Sequence, residues 1–136
     1  LSPRGSDFDV QPLQTRRVSA WLKANTPADS TVLVWGFEPA VNFLSERRSA
    51  TRYLYDWYLT SRAVEPGRQA RYWETFWREV EGSPPSAVVV VHDDMNPVEG
   101  KDSATQLASS PQLAEWLAAN YTSEIRIGDF EVYRRP

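Results

Sequence analysis

The sequence predicts a single α/β domain: a mixed, mainly parallel sheet flanked by helices and ending in an antiparallel β-hairpin. Three observations predict it. Residues 31–35 (TVLVW) and 86–91 (SAVVVV) are short, continuously apolar runs, as expected of parallel strands covered on both faces. Segments of helical periodicity alternate with these runs, the pattern of helices layered on a sheet. Residues 123–134 alternate polar and apolar on either side of Gly128-Asp129, a two-residue hairpin loop. At 136 residues the chain has the size of one domain, which buries roughly 68–70% of the surface its unfolded form exposes.

The elements follow in order. Residues 1–6 (LSPRGS) resemble a protease-site tag, so residues 1–11 are set aside as a linker or tag remnant and residues 12–136 are taken as the domain. Over residues 12–25, Val18, Trp21 and Leu22 recur at three and four, giving one buried helical stripe that stops before Thr26-Pro27. After the strand at 31–35, residues 39–44 form a short helix with proline in its first turn. Residues 49–55 form a second strand, with Tyr53 and Tyr55 on one face and Arg52 and Leu54 on the other. Beyond Glu65-Pro66-Gly67, the stripe Tyr72, Trp73, Phe76, Trp77 and Val80 marks a helix whose aromatic face is core. Gly82-Ser83-Pro84-Pro85 stops it, and 86–91 is the central strand. A helical turn at 104–108 and a helix over 112–120 follow, the latter with Ser110 as N-cap and Leu113, Trp116 and Leu117 facing inward. In the hairpin, Ile127 faces Phe130 and Ile125 faces Val132. Arg126 opposes Glu131, a cross-strand charge pair worth roughly 0.2–1 kcal/mol.

Composition removes several function classes. The chain has no cysteine and one histidine, so disulfides, thiolate sites and zinc held by paired histidines are excluded. A net charge of -3, with arginines interleaved among acids, leaves no basic footprint for nucleic acid. The glycines at 36, 67, 82, 100 and 128 are isolated, so neither GxGxxG nor GxxxxGK[ST] is present, and no GxSxG elbow marks a nucleophile. No cofactor is expected. The longest aliphatic run, residues 87–91, falls far short of the roughly 20 residues that span a bilayer. Asn120-Tyr121-Thr122 matches a glycosylation sequon at a helix end and is given no functional weight.

Right-handed crossovers between parallel strands bring their exits to one edge, where α/β proteins bind ligands. That edge gathers the candidate contact residues Trp35, Phe37, Glu38, Asp56, Trp57, His92, Asp93 and Asp94. Aromatic faces beside carboxylates suit sugar rings, because C–H faces stack while carboxylates accept hydroxyl protons. The competing reading is that the tryptophans are buried. His92-Asp93-Asp94 concentrates hard-cation ligands at the end of the central strand, but aspartates at such a place equally satisfy turn amides. No metal site and no catalytic residue are assigned.

Three stretches, VSAWLKANTPADSTVLVWGFEPAVNFLSERRSATRYLY, SPPSAVVVVHDD and SSPQLAEWLAANYTSEIRIGDFEVYRRP, in that order, carry a family likeness. They resemble the soluble C-terminal domain of GT-C-type membrane glycosyltransferases, the group similar to dolichyl-phosphate-mannose protein mannosyltransferases. The most telling pieces are Trp35-Gly36 with Glu38-Pro39, residues 49–55, and Gly128-Asp129-Phe130 with Tyr133-Arg134-Arg135. The resemblance implies an accessory domain on the extracytoplasmic, periplasmic or extracellular, face, tethered through an upstream membrane region. In such enzymes the membrane helices carry the catalytic acids and the donor is a polyprenyl-phosphate-linked sugar, so this chain alone is expected to be inactive. Its expected partners are the membrane portion of the same polypeptide and a glycan, lipid-linked sugar or acceptor. The alternative is a free-standing small-molecule or carbohydrate-binding module, or a weak metal-dependent hydrolase using His92, Asp93 and Asp94.

Overall fold

The computed structural model describes the backbone of residues 3–53, 56–94 and 100–136, and their side chains from Leu13 onward. The described elements are α1 (Pro3–Asn25), β1 (Thr31–Trp35), α2 (Ala40–Ser45), β2 (Arg48–Ser49), α3 (Trp57–Thr60), α4 (Pro66–Gly82), β3 (Ala87–Val91), α5 (Ser103–Ala108), α6 (Pro111–Asn120), β4 (Thr122–Ile127) and β5 (Phe130–Arg134).

The apolar runs become neighbours. β1 lies parallel to both β2 and β3, and β5 pairs antiparallel with β3 on one side and with β4 on the other, giving the order β2-β1-β3-β5-β4. Each central strand is covered on both faces. Leu33, Trp35, Val88 and Val90 pack against Phe76 and Val80 of α4 and Leu113 and Leu117 of α6. Val32, Val34, Val89, Val91, Phe130 and Val132 pack against Val18 and Leu22 of α1 and Val41 of α2. Every β3 residue is buried, and each fully buried valine contributes roughly 1.5–3 kcal/mol. No described helix is long and apolar enough to cross a membrane.

Local chemistry fixes the helix ends. Glu65 precedes Pro66 and its carboxylate accepts from Gly67 N at 2.8 Å and Arg68 N at 2.9 Å, starting α4. Ser110 holds the N-cap position of α6, with Pro111 next, but its hydroxyl makes no capping hydrogen bond. The C-termini of α1 and α2 share one cation. The buried Arg47 guanidinium donates to the carbonyls of Lys23, Thr26, Ser45 and Glu46 and to Thr26 Oγ1. A positive group placed there satisfies helix-end carbonyls and complements their dipoles.

Four differences from the sequence reading have identifiable places. The first helix begins at Pro3 rather than at residue 12. The second strand is two residues long, not seven, because its continuing amides are taken by side chains. Thr51 N donates to Ser49 Oγ, Arg52 N to Glu79 Oε1 and Tyr53 N to Thr51 Oγ1, diverting the backbone from a ladder. Leu54 and Tyr55 lie outside the described residues. The short helix α3 occupies the expected strand exit. The hairpin has the expected register, Ile127 to Phe130, Ile125 to Val132 and Arg126 to Glu131, with an irregularity between Ser123 and Ile125. The last of these pairs is not an ion pair: Arg126 Nε donates to Gly128 O, while Glu131 accepts from Ser123 and pairs with His92.

Candidate functional site

From β1 the chain turns outward to β2, and the sheet continues on the other side through β3, so the strand order reverses between β1 and β3. The carboxyl ends of such a pair flank the crevice where α/β sheets bind ligands. Here the two exits close on one another. A Cβ at Gly36 would collide with Val91 Cγ2 and lie 2.6 Å from Val91 Cβ, so glycine alone lets the chain leave β1 this close to β3. Asp94 then ties three segments together. Its Oδ2 accepts from Phe37 N at 3.1 Å and Ser103 Oγ at 2.8 Å, and its Oδ1 accepts from Ser103 N at 2.8 Å. Trp35 completes the knot by donating from Nε1 to Ser103 O at 3.0 Å.

Trp35 is only 2% exposed and its ring packs against Trp73 and Phe76, at centroid distances of 6.0 and 6.1 Å. It belongs to the core and offers no face to a ligand. Phe37 and Glu38 are half-buried between β1 and α2, and Glu38 O accepts from Val41 N at 3.2 Å. Trp57, on α3, is half-buried and meets the exposed Tyr58 edge-on at 5.3 Å.

Asp56 has the least ordinary environment. It is 2% exposed, and among the described residues neither carboxyl oxygen has a hydrogen-bond partner. Burial pushes its pKa up to about 6; the nearby Ser103 hydroxyl, which donates to Asp94, opposes this, and the Asp94 charge adds to it. Its carbonyl meanwhile accepts from Leu59 N, Thr60 N and Thr60 Oγ1, starting α3.

The run His92-Asp93-Asp94 does not act as one cluster. His92 Nε2 lies 3.0 Å from Glu131 Oε1, and Ser123 Oγ donates to Glu131 Oε2 at 2.8 Å. Burial raises the Glu131 pKa, but these bonds outweigh it and hold the carboxyl below its ordinary value. Asp93 is exposed at φ 59, a left-handed conformation that aspartate tolerates, and its amide donates to Asp102 Oδ2 at 2.8 Å. Among the described residues no group of three or more His, Asp or Glu side chains is placed to hold a metal. Of the eight candidates, Asp56 and Asp94 meet around Ser103, where Asp94 also receives Phe37 N, and His92 and Asp93 turn to other partners.

A second feature lies on the helical face. A cleft of about 670 Å³ runs between α3–α4 and α5–α6, with Trp73 and Trp77 in its lining and Thr60, Gln106 and Gln112 around it. The two indoles stack at 6.2 Å and 25°, and Trp73 Nε1 donates to Leu59 O at 2.9 Å, which fixes that ring. The aromatic stripe of α4 therefore divides: Phe76 is core, while Trp73 and Trp77 are partly open. Its width was the available signal, since a stripe running i, i+1, i+4, i+5 is broader than one seam can bury.

No protein-family model matches the sequence, and no curated protein matches it. Among solved structures, the chain is similar to the C-terminal globular domain of oligosaccharyltransferase from Archaeoglobus fulgidus. The TM-score is 0.49 at 12% identity, covering 89% of this chain and 96% of that one.

Proposed function

We propose that the chain is a noncatalytic accessory domain of a polytopic membrane glycosyltransferase that uses a polyprenyl-phosphate-linked sugar. On this reading it sits on the extracytoplasmic face, docks on the membrane portion of its own polypeptide and helps position acceptor, donor headgroup or partner. The likeness of its sequence to GT-C-type C-terminal domains supplies the parent. The observation that carries the noncatalytic role is the consumption of the strand-exit edge by structure. Asp94 accepts three hydrogen bonds from Phe37 and Ser103, and the single histidine is engaged with Glu131. Catalysis of acyl or glycosyl transfer needs a nucleophile or acid beside a positioned base and room for the reacting atom. Among the described residues of the edge, Asp94 and His92 spend their hydrogen bonds inside the fold, and the carboxyl of Asp56, which has no such bond, is buried at 2% exposure.

The test is turnover. The isolated chain, incubated with a polyprenyl-phosphate-linked sugar and acceptor, should transfer no sugar, while excision of the domain from the intact enzyme should reduce its rate. Transfer by the isolated chain, or full activity of the enzyme lacking the domain, would overturn the reading. Within the intact enzyme, a Trp57→Ala, Glu38→Gln double variant that stays folded should lose activity if this flank is the docking contact.

A further inference from the structure

We propose that the cleft between α3–α4 and α5–α6 binds a short saccharide, with a pyranose face laid on the Trp73–Trp77 platform. The assignment stands on the cleft itself and does not depend on the parent being a membrane enzyme. Three properties carry it. The volume, about 670 Å³, lies in the roughly 300–1,000 Å³ range of small-molecule sites, enough for more than one sugar ring. The platform is built before any ligand arrives, because Trp73 is pinned to Leu59 O and Trp77 is wedged edge-on against Phe76 and Trp116, at 5.2 and 5.9 Å. Stacking on it costs little ordering of the protein.

The third property is the polar rim. Gln106 and Gln112 each bring a carbonyl acceptor and two N–H donors, Ser110 brings a hydroxyl, and Thr60 and Ser109 bring hydroxyl oxygens that accept while their protons go to Asp56 O and Thr105 O. Ser110 makes no capping hydrogen bond to α6, so its hydroxyl is not committed there. Neutral groups that donate or accept beside an aromatic floor match a ring bearing a hydroxyl on nearly every carbon. A nucleotide is the rival, since its base would use the same floor and its phosphate would meet Arg62 and Lys101 in the lining, but it leaves the neutral glutamines largely unanswered. Among the described lining residues there is no Asp, Glu or His, whereas cleavage of a glycosidic bond uses a pair of carboxyl groups. The assignment is to binding alone.

The experiment is titration of the ¹⁵N-labelled chain with maltose, cellobiose and mannobiose, and separately with AMP, following the six indole N–H resonances. At least one disaccharide should shift the Trp73 and Trp77 signals and leave Trp21, on the opposite face, in place. The disaccharide should remain chemically intact. Gln106→Ala with Gln112→Ala should weaken binding about tenfold without moving the melting temperature, since neither glutamine is in the buried core. Trp77→Phe keeps an aromatic wedge while halving the platform and should weaken it further. Shifts with AMP and none with the disaccharides would reassign the cleft to nucleobases and overturn the proposal. Absence of any shift at Trp73 and Trp77, or binding indifferent to the glutamines, would overturn it as well.

Discussion

Asp56→Asn should stabilise the domain at neutral pH, and the gain should vanish in acid. The carboxyl is 2% exposed, with neither oxygen hydrogen-bonded among the described residues. Its pKa stands at about 6 against an ordinary 3.8, chiefly through burial. At 1.36 kcal/mol per pH unit, that gap amounts to about 3 kcal/mol. The sign follows from proton counting. Between 3.8 and about 6 the folded state holds a proton that the unfolded chain has lost, so stability is fully present below 3.8 and declines as pH rises through 6. Asparagine has the same shape and no charge, so it removes this decline. Its amide must itself be satisfied in the same pocket, which costs about 1–3 kcal/mol if no acceptor takes it. The informative quantity is therefore the change with pH of the difference between the two proteins, which cancels that cost and the titration of every other acid. Urea denaturation followed by tryptophan fluorescence at intervals from about pH 4 to pH 8 should show the variant gaining about 2 kcal/mol on the native protein across that range. A difference that stays constant with pH, or one that moves in favour of the native protein as pH rises, would refute the reasoning.

Two further perturbations test the framework around the site. Gly36→Ala should destabilise the domain by about 1–3 kcal/mol, because the new methyl meets the Val91 side chain at the closest approach of β1 and β3; a midpoint within error of the native value would show that this approach is not tight. Arg47→Met preserves much of the volume but strips the carbonyls of Lys23, Thr26, Ser45 and Glu46 of their shared donor. A loss of about 2–4 kcal/mol in chemical denaturation is expected, and hydrogen exchange should quicken first where α1 meets α2; an unchanged midpoint would contradict this account.

What the sequence made legible was whatever short-range periodicity governs. Five consecutive buried residues of β3 and the hairpin register around Gly128-Asp129 follow from apolar patterning and turn chemistry, and both have the expected form. The alternation over residues 49–55 is real, yet Ser49, Thr51 and Glu79 side chains capture the amides a ladder would need. Nothing in the local pattern announces a competitor 27 residues away. The candidate site divides in the same way. Position at the strand exits placed Phe37, Asp56 and Asp94 in one neighbourhood, but Asp94 is anchored there by the amide and hydroxyl of Ser103, which no motif singles out. Trp35 and Trp73 are the same residue type, and their rings lie 6.0 Å apart. Only the tertiary packing makes one of them core and the other part of a cleft wall.

The place of β5 in the sheet has a consequence for how the chain is made. β3 is flanked by β1, which leaves the ribosome well before it, and by β5, which follows it by some forty residues of synthesis. Until residues 130–134 emerge, a nascent chain carries a five-residue run of valine and alanine with one hydrogen-bonding edge open, and α1 lacks Phe130 and Val132 beneath it. An open, uncharged edge of this kind pairs readily with other chains. Slow synthesis across the intervening segment would lengthen that exposure, and a chain stopped before Phe130 would be held in it. Premature termination in this region should therefore yield aggregates rather than a smaller folded domain.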